Sequence, residues 1–256
     1  MKNPKRILIT GASGAIGGAL AREYAAPGIS LVLHGRRADV LDVCAQMCQA
    51  KGATVACYAF DVRDVARLRQ WVRDVDAERS LDLIIANAGM NIDIGPDGAG
   101  ERWEDVEALL DVNMRAVMAL VHAALPGMRE RRSGQIALVS SLAAFFGLPV
   151  TPSYCASKAA VKAYGEALRG WLKPEGIRVN VVMPGYVASP MCHAMPGPKP
   201  FLWTPEKAAR VIRRGLESDK ARISFPFPLN LGTWFLAVLP AGFSTQIVRW
   251  MGYGGD

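Results

Sequence analysis

Cysteine is sparse in this chain of 256 residues and forms no pattern: Cys44, Cys48, Cys57, Cys155 and Cys192 are an odd set without the paired spacings that hold zinc. That argues against a disulfide scaffold and leaves no metal site to expect. Cys44 and Cys48, one helical turn apart, predict buried thiols in a reducing compartment. The first apolar run is reached by Arg6, which leaves no room for a signal or transit segment, so a cytoplasmic location is expected. No repeat or linker interrupts the chain. The basic residues outnumber the acidic by 30 to 23 but are scattered and carry no recognition motif. This argues against nucleic acid and for anionic partners such as phosphorylated cofactors or lipid head groups. A last absence is local: no charged residue occurs over 223–248.

What is present is a regular alternation. The apolar runs RILIT, SLVLHG, TVACYAF, LDLIIANAG, GQIALVSS and IRVNVVMPG are separated by helical patterns over 15–26, 38–51, 65–78, 101–128 and 152–173. Runs apolar enough to be buried on both faces, each followed by a helix, predict an α/β fold: one Rossmann-type domain over 1–256, a doubly wound parallel sheet with helices on both faces. At 51% hydrophobic the chain has ample core for it.

The first strand-to-helix turn carries TGASGAIG, so Gly11, Ser13, Gly14, Ala15, Ile16 and Gly17 stand where backbone amides and a helix N-terminus can take a pyrophosphate. A tight turn packed for closeness would use the same glycines. After the second strand comes LHGRR. Gly35 occupies the place of the acid that would hold unsubstituted ribose hydroxyls, and Arg36 and Arg37 offer guanidinium forks to a 2′-phosphate. Asp61 and Val62 end the third strand, and Asn87, Ala88 and Gly89 the fourth, at the sheet edge where such folds bind ligands, although turns favour the same residues. Asn113 inside the helical pattern 101–128 competes with the backbone ladder and predicts a local distortion.

Chemistry concentrates in SLAAFFGLPVTPSYCASK, residues 141–158. Thr151 and Pro152 read as N-cap and first residue of a helix, so Tyr154 and Lys158 share a helix face and their heads can meet. A phenol beside an ammonium is a candidate acid/base, and Ser141 a candidate donor to a substrate oxygen. An ordinary helix with an exposed tyrosine and lysine is the plain alternative.

In this order and spacing, TGASGAIG, Asp61-Val62, Asn87-Ala88-Gly89, Asn113, Ser141, Tyr154-x-x-x-Lys158 and Pro184-Gly185 resemble the classical short-chain dehydrogenase/reductase family over residues 6 to about 190. The resemblance implies an oxidoreductase interconverting a carbonyl and an alcohol, with NADP(H) favoured over NAD(H) by the arginines. It implies that Tyr154 donates the proton, Lys158 holds the nicotinamide ribose and biases the phenol, Ser141 positions the carbonyl, and Asn113 orders a water. Half-ionising the phenol at pH 7 needs its pKa brought down from the ordinary value near 10 to about 7, which the ammonium and a cationic nicotinamide would supply jointly. Asn87 to Gly89 would steady the sheet beside the cofactor, Asp61 and Val62 flank adenine, and Val187 and Ser189 meet the carboxamide. Ala15 at the middle glycine of the fingerprint, with Gly14 one place early, is similar instead to the extended branch that acts on nucleotide sugars. The short chain and the classical distance from Ser141 to Tyr154 oppose that reading. A non-catalytic cofactor-sensing or scaffold protein on the same fold is the remaining alternative. The family commonly assembles as a homodimer or homotetramer, here through 101–128 and 152–173, where Ala156, Ala159, Ala160 and Ala163 allow close approach.

Beyond Gly185 the sequence describes a pocket. Residues 186–203 resemble a substrate lid, and with Phe145, Phe146 and Leu148 they suggest an apolar carbonyl/alcohol substrate. Over 223–256 an apolar C-terminal extension holds Phe225, Phe227, Trp234, Phe235 and Phe243, broken by prolines and glycines that argue against one spanning helix. A clasp over the substrate mouth, a dimer surface and a peripheral membrane contact are its three readings. The basic residues of 207–222 lie just upstream.

Overall fold

All strand pairings are parallel in the computed structural model, which describes residues 3–95 and 98–253. The first half runs β1 (Arg6–Thr10), α1 (Ala15–Tyr24), β2 (Ser30–Gly35), α2 (Ala38–Gln49), β3 (Thr54–Ala59), α3 (Val65–Glu78), β4 (Leu83–Ala86), α4 (Trp103–Leu110) and α5 (Ala116–Glu130). The second runs β5 (Gly134–Val139), α6 (Pro152–Leu172), β6 (Ile177–Pro184), α7 (Pro190–Ala194), α8 (Pro205–Glu217), β7 (Arg222–Phe225), α9 (Leu229–Val238) and α10 (Ala241–Val248). The seven strands lie in the order β3-β2-β1-β4-β5-β6-β7, so the winding reverses beside β1 and opens a cleft at the carboxyl ends of β1 and β4.

The alternation builds two cores. One lies between the sheet and α3, α5 and α6; the other lies under α1, α2 and α8. In α3, Leu68, Trp71, Val72 and Val75 recur at helical spacing and are all buried, each contributing roughly 1.5–3 kcal/mol of apolar transfer. Asp64 caps that helix through the Arg67 amide. Cys44 and Cys48 are buried against the other face, and Cys57 is exposed on β3. As an edge strand β3 is half open to solvent, unlike the doubly buried strands expected throughout.

α1 and α2 stop short of their expected limits, at Tyr24 and Gln49, and larger differences lie elsewhere. The helix expected over 101–128 begins at Trp103, is interrupted by a π-helical turn at Asp111–Arg115, and resumes as α5. Asn113 sits inside that turn, the distortion its position predicted. Glu101, left outside the helix, accepts the Ser153 amide at 3.1 Å and its hydroxyl, so a distant carboxylate caps α6. Thr151 occupies the N-cap position without capping: its hydroxyl binds Asn91 Oδ1 at 2.8 Å and the Ile92 carbonyl at 2.6 Å. Finally, the apolar 223–256 stretch starts within the sheet, as β7 beside β6, before leaving it as α9 and α10.

Candidate active site

At the crevice, two loops are bolted together. Thr10 Oγ1 accepts the amides of Asn87 at 3.1 Å and Ala88 at 3.2 Å, while Asn87 Nδ2 donates to the carbonyls of Thr10 and Gly11. The fit leaves no room for side chains. Gly11 has φ +69° and a Cβ there would lie 2.9 Å from Ala88 Cα; at Gly17 it would strike the Gly11 carbonyl and the Asn87 amide. Gly14 is the N-cap of α1 and gives its first-turn amides no side-chain acceptor, nor does an acid stand in that turn. Uncapped helix amides beside a side-chain-free trough fit a pyrophosphate. Ala15 lines the same cavity without removing an amide.

Gly35 also has a steric reason: a Cβ there would come within 2.5 Å of Ser13 Oγ. Ser13 thus fills the space an acid would need, and Arg37 Nη2 donates to the Ser13 carbonyl at 2.6 Å. Arg36 and Arg37 are exposed at the cavity rim. Asp61 is held below the usual carboxylate range, chiefly by its hydrogen bonds with Arg63, and Val62 is buried beside it. His34, overlooked in the sequence, lines this end too. Its Nε2 lies 3.1 Å from the Phe60 carbonyl, and burial depresses its pKa to about 4, keeping it neutral.

The reactive residues converge at the other end. Lys158 is buried, its Nζ donates to the Val139 carbonyl at 3.1 Å and lies 5.6 Å from the centre of the Tyr154 ring. Ser141 Oγ accepts the Ala143 amide at 3.1 Å. Burial pushes the Tyr154 phenol up to about 12, and the hydrogen bond from Ser141 only partly opposes this. The net downward shift expected for the phenol is therefore not built into the chain: its burial outweighs what lowers it, although the Lys158 ammonium, itself depressed by burial to about 8, is still charged at pH 7. Tyr154 thus keeps its proton at neutral pH.

Asn113 is fully buried. Its Oδ1 accepts the Met90 amide at 2.9 Å, and its Nδ2 donates to the Met90 carbonyl at 2.9 Å and to Ser157 Oγ at 3.0 Å. Ser157 in turn donates to the Tyr154 carbonyl at 2.8 Å. The amide thus couples the loop after Gly89 to the turn bearing Tyr154. Ser157 and Thr10 carry this framework, and their fully buried hydroxyl positions were not singled out in the sequence.

A cavity of about 770 Å³ joins both ends, lined by Gly11, Ser13 to Ile16, Arg36, Arg37, Asp61, Val62, Asn87 to Gly89, Ser141, Tyr154, Lys158, Pro184, Gly185, Val187 and Ser189. Gly17 and Asn113 support it from behind. Ser189 caps α7 through the Cys192 amide at 3.0 Å, and Val187 bridges to Trp203, so both fix the chain after Gly185. Phe146 and Leu148 reach the cavity; Phe145 instead packs with Leu142 and Met183. The far wall comes from Tyr186, Met191 and Met195, within the segment read as a lid, and from Leu229, Thr233, Leu236, Val248 and Tyr253, within the stretch for which a clasp was one reading; most of these side chains were not singled out individually.

The short chain dehydrogenase family pattern matches residues 5–197. An uncharacterized oxidoreductase of Myxococcus xanthus is 36% identical over 236 residues, 91% of this chain and 92% of that one. A ketoacyl reductase of a Nostoc species is 29% identical, over 97% of this chain and 89% of its own. Among solved structures, a short-chain dehydrogenase from Sphingobium yanoikuyae in complex with NADPH superposes with a TM-score of 0.79 at 23% identity, over 98% and 95% of the two chains. One from Mycobacterium paratuberculosis bound to NAD gives 0.75 at 28% identity, over 88% and 96%. With the doubly wound sheet, this likeness makes the chain a member of the classical short-chain dehydrogenase/reductase family, the NAD(P)-dependent oxidoreductases.

Proposed function

We propose that the chain reduces an apolar ketone or aldehyde, or oxidises the corresponding alcohol, with NADP(H) preferred over NAD(H). The observation that carries this reading is the single cavity running from the glycine loop and its two arginines past Tyr154 to a wall of leucine, methionine, valine and phenylalanine. The nicotinamide cofactor, when bound, supplies the hydride. Gly11 to Gly17 would hold its pyrophosphate, Asp61 and Val62 would flank its adenine, Arg36 and Arg37 would take a 2′-phosphate, and Val187 and Ser189 would meet its carboxamide. Tyr154 gives its proton to the substrate oxygen as the C–H bond forms, and the O–H bond replaces the carbonyl π bond. Lys158 steadies the phenolate left behind, Ser141 orients the carbonyl, and Asn113 keeps the tyrosine turn in register. A ketoacyl reductase among the relatives supports a ketone carried on an acyl chain.

Two partner surfaces accompany this reading. Ala156, Ala159 and Ala163 are exposed on α6, a small-residue stripe suited to a homodimer or homotetramer. On α9, α10 and the turn after them, Leu231, Trp234, Phe235, Phe243 and Trp250 point outward while Leu229, Leu236 and Val248 line the cavity. This two-sided arrangement supports both the clasp and a peripheral membrane contact that would deliver an apolar substrate. Assaying oxidation of NADPH and of NADH against ketones and aldehydes of increasing chain length tests the reading. Turnover should be faster with NADPH and rise with apolar length; inactivity with every carbonyl would refute it.

A further inference from the structure

One pair of side chains in the cavity wall is unused by the reductase chemistry. Tyr186 donates its phenolic proton to Tyr253 Oη at 2.7 Å, and Tyr253 donates its own to the Pro198 carbonyl. Tyr253 is 4% exposed, and both rings line the cavity. The two turns involved dock reciprocally. Gly197 has φ +80° and lies where a Cβ would be 2.9 Å from the Tyr253 ring; Gly252 has φ +85° and lies where one would be 3.6 Å from Pro198. Lys199 Nζ ties back to the carbonyls of Met195 at 2.7 Å and Gly197 at 2.9 Å, so the 195–199 turn is one piece. Val150 and Val248 pack with Tyr253 to complete the contact.

We propose that Tyr253 is a positioning residue: through Tyr186 and Pro198 it latches the 186–199 wall to the C-terminal turn and sets the shape of the substrate end of the cavity. Buried hydroxyls keep their partners. The wall therefore opens only by breaking both bonds or by carrying the C-terminal turn with it. The proposal rests on the reductase reading, and its test separates the two.

Tyr253→Phe keeps the ring and removes both bonds. In the cofactor-free protein, amides of 190–203 should then exchange with solvent several-fold faster. In the assay, KM for the carbonyl should rise up to about tenfold, the scale of a neutral hydrogen bond, with kcat and NADPH affinity within about twofold of wild type. Tyr186→Phe removes only the bond between the two phenols, so it should act in the same direction but no more strongly, and the double variant should be no worse than Tyr253→Phe; Tyr186→Phe carries the test alone if Tyr253→Phe does not fold. Gly197→Ala, which drives a methyl into the ring, should act in the same direction. Unchanged exchange together with unchanged KM overturns the latch, as does an equal loss of cofactor affinity. A wild type inactive on every carbonyl overturns the reductase reading instead, and the exchange data still decide the latch.

Discussion

The two ends of the cavity are built by different rules. The cofactor end is made of backbone held in place by short-range necessities: Gly11 and Gly17 because nothing larger fits, Thr10 because two amides meet it, Gly35 because Ser13 occupies its space. The substrate end is made of side chains from distant segments, where Phe146, Met191, Leu236 and Tyr253 meet only after folding. A site of this kind can keep one reaction while its wall, and hence its substrate, changes.

The comparison can be broken most severely at the junction of the ends. Tyr154→Phe should keep cofactor affinity and lose turnover by about 10² to 10⁴, the usual share of acid/base catalysis. Steady-state rates with a cofactor titration check it, and a variant with near-normal turnover removes Tyr154 as the acid. At the cofactor end, Arg36→Ala should weaken NADPH by roughly tenfold to a hundredfold and leave NADH unchanged, as expected for loss of a charged hydrogen bond. Fluorescence titration of both cofactors measures this, and a wild type that prefers NADH contradicts the reading of the arginines.

The same contrast explains what could be read from the sequence. The parallel sheet, α3 at its expected limits and the convergence of Ser141, Tyr154 and Lys158 were legible because periodicity, glycine and helix spacing are local signals. The distortion at Asn113 was legible too, since an asparagine inside a helical pattern competes with the backbone ladder. The cap of α6 was not, because Glu101 arrives from a loop some fifty residues earlier in the chain. Nor was β7, whose few residues merge with the apolar run that follows. The rise of the Tyr154 pKa was missed because burial, invisible in sequence spacing, outweighs its neighbours.

A smaller effect sharpens the junction. Lys158 has its folded pKa depressed to about 8 from 10.5, so between those values the unfolded chain binds more protons and stability rises with pH. Below about pH 8 the burial penalty is present in full. Lys158→Met should therefore stabilise the cofactor-free protein at pH 7 by at most on the order of 3 kcal/mol, less the lost bond to Val139, and the gain should fade toward pH 10.5. Thermal melts across that range show whether it does; a gain independent of pH removes Lys158 as a buried cation. The smallest effect lies on the outer face, where Trp250→Ser should lower co-sedimentation with anionic vesicles without changing turnover on a soluble ketone. Wild-type protein that stays in the supernatant at every salt concentration leaves the aromatic face as a clasp or a dimer surface.

The most direct measurement is the fate of the hydride. NADPH deuterated at the transferred position, incubated with the enzyme and an apolar ketone, should yield an alcohol carrying deuterium on its carbinol carbon, and Tyr154→Phe should form almost none. Alcohol without deuterium, or no alcohol with either cofactor, would contradict reduction at this site.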